Sequence, residues 1–176
     1  MHASDTHTDA PQMHADDPAR DFDFEIGDWH VHNRRLRERL AGCSAWDEFA
    51  STATMQLLPG DLGNQELVRA SHLPGYVGMA LRFFNRATRR WAIHWVDNQR
   101  HVLEPPVYGV FVDGTGVFEG DDVFRATPDA TPLPIRVRFV WSRTRTATPR
   151  WEQAFSADGG ATWETNWTMD FRRGGA

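Results

Sequence analysis

The most constraining feature of this sequence is a regular succession of turn signals. Groups of Pro, Gly, Asn and Asp, which supply the fixed or positive φ angles of tight turns, recur about every ten residues. They lie at residues 59–61, 74–75, 85–88, 97–98, 105–106, 113–116 and 158–160. The segments between them are rich in Val, Ile, Phe, Trp and Thr, which favour strands. The sequence therefore predicts an all-β fold made of short strands.

These signals and the β-favouring segments together indicate about ten strands. Short connections between consecutive strands indicate an antiparallel, up-and-down arrangement. Such a sheet can form a sandwich or close into a barrel, and only closure removes both edges. We predict an up-and-down β-barrel of about eight to ten strands. The predicted strands are 27–39, 46–57, 64–71, 78–84, 90–97, 107–113, 116–125, 134–145, 150–156 and 162–172.

The chain is predicted to hold one domain preceded by a tail. Its 176 residues are too few for two well-buried domains. Residues 1–20 show no hydrophobic periodicity, so we expect a disordered tail, and the barrel is assigned to residues 21–173. Three histidines lie in this tail, but their irregular spacing does not indicate a metal site; they are His2, His7 and His14.

Composition and hydropathy argue against several classes of protein. No apolar run reaches the roughly 18 residues of a membrane-spanning helix, and the N-terminus lacks the apolar stretch of a signal peptide. We therefore expect a cytoplasmic protein without membrane contact. The single cysteine, Cys43, excludes an internal disulfide and an all-cysteine metal site. The formal net charge of −5 argues against nucleic-acid binding.

Side-chain alternation along the strands indicates an aromatic inner face. One face is apolar nearly throughout and the other is polar, as in a sheet with one buried side. A barrel of this size can be filled by its side chains or can hold a ligand. We expect a cavity that binds a small, largely hydrophobic molecule, aromatic or polycyclic, with no cofactor. Its predicted lining residues are Phe83, Trp91, Ile93, Trp95, Phe139, Trp141, Trp151, Gln153, Trp163, Thr165 and Trp167.

The first strand breaks this alternation. Trp29 and Val31 share one parity, whereas Leu36 and Leu40 have the other. A β-bulge or bend near Asn33 would reconcile the two sets, and bulges are frequent at barrel rims. Residues 33–40 also fit a helix, because the two leucines suit either period, but we assign this segment to the strand.

The start of the first strand resembles the lipocalin-like proteins of the calycin superfamily. Gly27-Asp28-Trp29 follows the alternating apolar residues Phe22, Phe24 and Ile26, and Arg172-Arg173 follow the last strand. In such barrels a Gly-x-Trp puts the Trp across the closed end, with an Arg from near the chain end packed over it. The resemblance assigns these parts to Trp29 and to Arg172, or alternatively Arg173.

Three longer segments are similar to a bacterial lipocalin-like family of unknown function. They are FDFEIGDWHVHNRRLRERL, RRWAIHWVDN and RWEQAFSADGGATWETNWTMDF, and the likeness covers about residues 22–173. This resemblance implies a calycin-type barrel and carries no established activity.

Two motifs invite functional readings that their context does not favour. Residues 156–163 match the Asp box of sialidase propellers, but a single copy in a short chain predicts only a hairpin held by Asp158. His30 and His32 share one strand face, as some metal ligands do. Their parity is opposite to that of Trp29, so we expect them outside and predict no metal site. A haem-binding barrel would need an axial His late in the chain, and none follows His101.

Two alternatives to a binding protein stay open from the sequence. A cofactor-independent isomerase, cyclase or hydratase would need the polar register inside, bringing acids and bases together. Its candidate residues are His94, Arg138 and Glu152 as catalytic groups, with Arg82, Glu164 and Asn166 beside them. An interaction or storage protein, such as one that acts as a homodimer, would instead show an apolar outer patch around Phe84, Val110 and Val112.

Overall fold

A computed structural model describes residues 17–174 as a β-barrel preceded by a short N-terminal segment. Ten strands form the barrel, and each overlaps the predicted strand of the same order. Three short 3-10 turns lie outside the strands, at Pro18–Arg20, Asp23–Glu25 and Pro59–Asp61. The strands are β1 (Gly27–Leu36), β2 (Trp46–Leu57), β3 (Asn64–Ala70), β4 (Gly78–Asn85), β5 (Arg90–Asp97), β6 (Val107–Val112), β7 (Thr115–Phe124), β8 (Leu133–Ser142), β9 (Arg150–Ser156) and β10 (Glu164–Arg173).

The barrel is closed, antiparallel and up-and-down, which confirms the predicted fold class. Each strand pairs with its neighbours in sequence, and β10 returns to pair with β1. Val31 lies opposite Phe171 across this closing pair and opposite Ser51 on β2. No described strand is therefore left with an unpaired edge, which is how barrels avoid edge-to-edge association.

The N-terminal segment fills one end of the barrel, which we call the closed end. Phe22 is 1% exposed, and its ring centre lies 4.9 Å from those of Trp91 and Phe111. The Trp91 indole N–H donates to the carbonyl of Pro18 at 3.0 Å. Residues 17–20, which the sequence pattern placed in the tail, are thus part of the barrel's end. Residues 1–16 of that tail, including its three histidines, lie outside the described residues.

Trp29 lies at the closed end, as the Gly-x-Trp resemblance implies. It is 2% exposed, and its indole N–H donates to the carbonyl of Glu25 at 2.6 Å. The guanidinium carbon of Arg173 lies 3.8 Å from the centre of the Trp29 ring, and this side chain also donates to the Phe24 carbonyl. Arg173 therefore covers Trp29. The assignment to Arg172 is wrong, because Arg173 lies opposite Trp29 in the strand pair, whereas Arg172 lies opposite the exposed His30.

The irregularity predicted in β1 lies in β10 instead. β1 keeps an unbroken register with β2 from Gly27 to Leu36, so the expected bulge near Asn33 is wrong. The chain leaves the strand after Leu36 and bends at Leu40, which has a φ of 57°. The register shift falls between Thr165 and Trp167. A bulge of this kind reverses the alternation of every residue before it.

The turn between β9 and β10 is the predicted hairpin. The carboxylate of Asp158 accepts hydrogen bonds from the Thr162 hydroxyl at 2.6 Å and backbone N–H at 2.9 Å, and from the Ser156 hydroxyl at 2.7 Å. These bonds hold the pKa of Asp158 well below its usual range. The Asp-box residues are occupied in stabilising the turn. Among the described residues, no helix has the length and apolar character needed to cross a membrane.

Candidate ligand-binding site

A buried charge network connects β3 and β4 to the N-terminal segment at the closed end. We call this segment, residues 17–26, the plug. Arg82 on β4 is 2% exposed and donates to Glu25 at 2.7 Å, and it also pairs with Glu66 on β3. Asn64 accepts a further bond from Arg82 at 3.3 Å. Burial raises the pKa of Glu25 well above its usual range, although the Arg82 charge opposes the shift. Because Phe22 covers this network, with its ring centre 4.6 Å from the Arg82 guanidinium carbon, the closed end has no room for a ligand.

The rest of the interior is lined by aromatic side chains that solvent still reaches. Phe139, Trp151 and Trp167 project inward from β8, β9 and β10, yet each is only partly buried. The ring centre of Trp151 lies 5.0 Å from that of Phe139 and 5.8 Å from that of Trp167. Trp95 on β5 is also partly buried and packs against the core. Inward-facing rings that keep exposed surface show that solvent reaches this part of the interior, and we call this end of the barrel the open end.

Amide side chains supply polarity next to these rings. The Trp167 indole N–H donates to Asn33 Oδ1 at 3.0 Å, and Asn33 Nδ2 donates to the Ser51 hydroxyl at 2.9 Å. Gln153 Nε2 donates to Asn166 Oδ1 at 2.9 Å. Asn166 Nδ2 is buried and has no hydrogen-bond partner among the described residues. The aromatic wall is thus fixed in orientation by a few amides, an arrangement typical of small-molecule pockets.

Two arginines lie at the open end. The Arg35 guanidinium carbon is 5.6 Å from the Phe49 ring centre and 5.3 Å from the Trp167 ring centre. Arg39 lies 5.4 Å from the ring centre of Phe124. Burial and the neighbouring Arg35 charge lower the pKa of Arg39. The open end therefore combines positive charge with aromatic surface.

Tyr76 and Glu104 also lie near this end. Burial raises the pKa of Tyr76 to about 12, and Asp97 adds to the shift while the Arg35 charge opposes it. Burial likewise raises the pKa of Glu104, whose carboxylate pairs with Arg100. Tyr76 is a neutral phenol at physiological pH, so it offers a hydrogen-bond donor.

The predicted lining residues divide into three groups. Five face the solvent-reached interior or its wall: Trp95, Phe139, Trp151, Gln153 and Trp167. Three also face inward but are sealed in the core, at 1%, 5% and 2% exposure, and leave a ligand no surface: Trp91, Ile93 and Trp141.

The remaining three, Phe83, Trp163 and Thr165, lie on the outer face. Phe83 is 37% exposed, because the inner positions of β4 go to Arg82 and its neighbours of the same parity. Trp163 stacks on Arg138, with the guanidinium carbon 3.8 Å from the ring centre, and Thr165 is exposed. The β10 bulge explains both, since it reverses the alternation before Trp167.

The candidate catalytic residues do not meet. Arg138 pairs with Glu119 at 2.7 Å, and Glu152 pairs with Arg150 at 3.3 Å, on outward positions of the sheet. His94 lies between Ile93 and Trp95 and therefore points outward. The predicted acid–base set is divided among the outer face, the closed end and the open end, so the polar register proposed for an enzyme is wrong.

His94 lines a groove of about 530 Å³ on the outer face of β4–β6, together with Phe83 and Tyr108. His94 Nδ1 is buried and has no hydrogen-bond partner among the described residues. Val110 and Val112 are exposed on the same side, at 40% and 64%. Phe84, which the sequence pattern placed in the outer patch, packs against the core instead, with its ring centre 5.3 Å from that of Trp91.

Four residues of the open end escaped prediction: Arg35, Arg39, Phe49 and Tyr76. For Arg35 a signal was present, because it has the parity of Trp29, Val31 and Asn33. Its charge favoured an outward assignment. Phe49 likewise shares the parity of Ala53 and Met55 on β2. Arg39 and Tyr76 lie in loops, where alternation gives no direction.

Comparison with known proteins gives no assignment. No family model matches the chain, and no curated protein matches it. Within residues 17–174, no group of three or more His, Cys, Asp and Glu side chains is placed to hold a metal ion. His30 and His32 are both exposed, and His32 Nε2 lies 3.2 Å from a carboxylate oxygen of Glu48.

Proposed function

We propose that this protein binds a small, largely hydrophobic, aromatic or polycyclic molecule inside its barrel. The observation that carries the proposal is the incomplete burial of Phe139, Trp151 and Trp167, which face inward in a closed barrel whose other end is filled. A packed core would cover such rings, because each buried aromatic removes about 150–250 Å² from water. A planar ligand that packs against these rings would remove their remaining exposed surface from water.

We also propose that the protein belongs among the lipocalin-like barrels of the calycin superfamily. The closed antiparallel barrel, the Gly27-x-Trp29 start and the cover of Trp29 by Arg173 support this membership. The family resemblance adds no ligand, so the ligand class rests on the cavity alone.

Titration with N-phenyl-1-naphthylamine, an uncharged aromatic probe that brightens in apolar sites, tests binding. We expect saturable binding with quenching of Trp emission. Trp151→Ala should weaken it about tenfold or more, since it removes a stacking wall. Trp163→Ala is the matched control, because this Trp packs on the outside, and it should leave affinity unchanged. Equal loss in both variants, or no saturable binding by the wild-type protein, would contradict the proposal.

A further inference from the structure

Arg35 occupies an unusual position for a charged side chain. It follows Trp29, Val31 and Asn33 on the inner face of β1, and it is partly buried. Its guanidinium lies near two rings, Phe49 and Trp167, whose centres are 6.2 Å apart. The aromatic contacts hold the side chain at the cavity wall while its N–H groups remain available.

The other arginines are either paired or well exposed. Among the described residues, every arginine that is at least partly buried has a carboxylate within ion-pair distance, except Arg35 and Arg39. Within residues 17–174, neither of these two guanidinium groups donates a hydrogen bond to a protein acceptor. Partial burial of an unpaired charge is unfavourable, and an anion in the cavity would relieve it.

Three acidic groups near this end already have other partners. Glu164 is the acidic neighbour of Arg39, but its Oε1 accepts the backbone N–H of Leu40 at 2.8 Å. Glu104 pairs with Arg100. Asp97 accepts backbone N–H groups at 2.8 and 3.0 Å in its own turn. None of these three carboxylates forms an ion pair with Arg35 or Arg39, so both guanidinium groups remain available to an anion.

We propose that the ligand is an anionic aromatic molecule whose acid group, a carboxylate or sulfonate, is bound by Arg35 with Arg39 at the mouth, while its rings pack against Trp167 and Trp151. This inference rests on the proposed function and specifies the ligand class. A planar guanidinium can donate two parallel hydrogen bonds to such an acid group, which gives orientation as well as affinity. The acid group would face the mouth and the rings would enter first.

Two fluorescent probes separate charge from ring packing. 1-Anilinonaphthalene-8-sulfonate and N-phenyl-1-naphthylamine share the same rings, and only the first carries a sulfonate. We expect the wild-type protein to bind the sulfonate more tightly. Arg35→Met keeps an apolar stem but removes the charge. It should lower the affinity for the sulfonate at least about tenfold and change the affinity for the uncharged probe by less than about threefold.

Arg34→Met is the matched control, because Arg34 is the next residue of the same strand and lies outside near Glu48. This variant should leave the affinity for both probes unchanged. Arg39→Met gives a second test if circular dichroism shows that Arg35→Met does not fold. Arg39→Met should also lower the affinity for the sulfonate and not that for the uncharged probe. If folded variants bind the sulfonate as the wild-type protein does, the anion inference is overturned and the proposed function stands. If the wild-type protein binds neither probe, both are overturned.

Discussion

Arg82 and Glu25 form an ion pair of 2.7 Å although the two residues are 57 positions apart and both side chains are at most 3% exposed. This pair joins the N-terminal segment to β4, and Glu66 contacts the same guanidinium. The closed end is therefore held by charge as well as by aromatic packing.

Removing the cation of this network should destabilise the barrel strongly. Arg82→Met leaves Glu25 and Glu66 buried without a partner charge, which typically costs about 3–5 kcal/mol. Urea unfolding followed by Trp fluorescence measures the change in the free energy of unfolding. Arg34→Met, at an exposed pair, serves as the control and should leave the midpoint unchanged. A loss below about 1 kcal/mol in Arg82→Met would contradict the role assigned to the network.

The closed end should also make stability depend on pH through Asp21. Burial raises the pKa of Asp21 to about 6, above the ordinary value of about 3.9. The folded protein thus holds this proton more tightly than the unfolded chain. Its stabilising contribution is complete below about pH 4 and is lost as the pH rises to about 6. Asp21→Asn keeps the neutral form, so the variant should match the wild-type protein at pH 4 and exceed its stability at pH 7. Parallel stability curves for the two proteins would contradict the shift.

Trp29 and Trp95 should respond differently to truncation. Trp29→Ala removes a fully packed ring at the closed end and should cost about 3–5 kcal/mol of stability with little change in probe affinity. Trp95→Ala enlarges the cavity and should weaken an aromatic probe by about 1–3 kcal/mol, with a smaller loss of stability. Thermal unfolding and probe titration on both variants provide the comparison. Equal stability losses with unchanged binding in both would overturn the division between plug and cavity.

Gly78 should control the position of Trp95. A Cβ at residue 78 would overlap the six-membered ring of Trp95, which lies across the strand pair. Gly78→Ala should push the ring into the cavity and lower the affinity for N-phenyl-1-naphthylamine. In the double variant with Trp95→Ala, the methyl group no longer overlaps the Trp95 ring and meets only the Tyr76 hydroxyl at 3.0 Å. Adding Gly78→Ala to Trp95→Ala should therefore have little further effect on affinity. Additive losses would show that the glycine acts by another route.

Turn chemistry and alternation predicted most of the fold, because both are local properties. The turn signals and the β-favouring segments together predict all ten strands, and alternation places Trp95 and Trp167 inside. Phe83 shows where local pattern fails. Phe83 faces outward because its neighbour Arg82 faces inward and pairs with Glu25. No local signal identifies that partner 57 residues away. Trp163 fails for a second reason, since a bulge at residues 165–167 changes parity without changing composition.

The site was only partly predictable on the same grounds. Aromatic residues were expected inside, but which of them are sealed depends on where the N-terminal segment inserts. Phe22 covers Trp91 and leaves Trp151 only partly buried, and this follows from the path of the chain outside the sheet. Arg35 was missed because inward charge is disfavoured, and alternation alone does not show that Phe49 and Trp167 pack near its guanidinium.

A crystal structure of the protein grown with N-phenyl-1-naphthylamine tests the central claim most directly. The account predicts that the probe lies inside the barrel, with its rings against Trp151 and Trp167 and the plug around Phe22 unchanged. Probe density confined to the outer groove beside Phe83 and Tyr108, with the interior rings closed on one another, would contradict it.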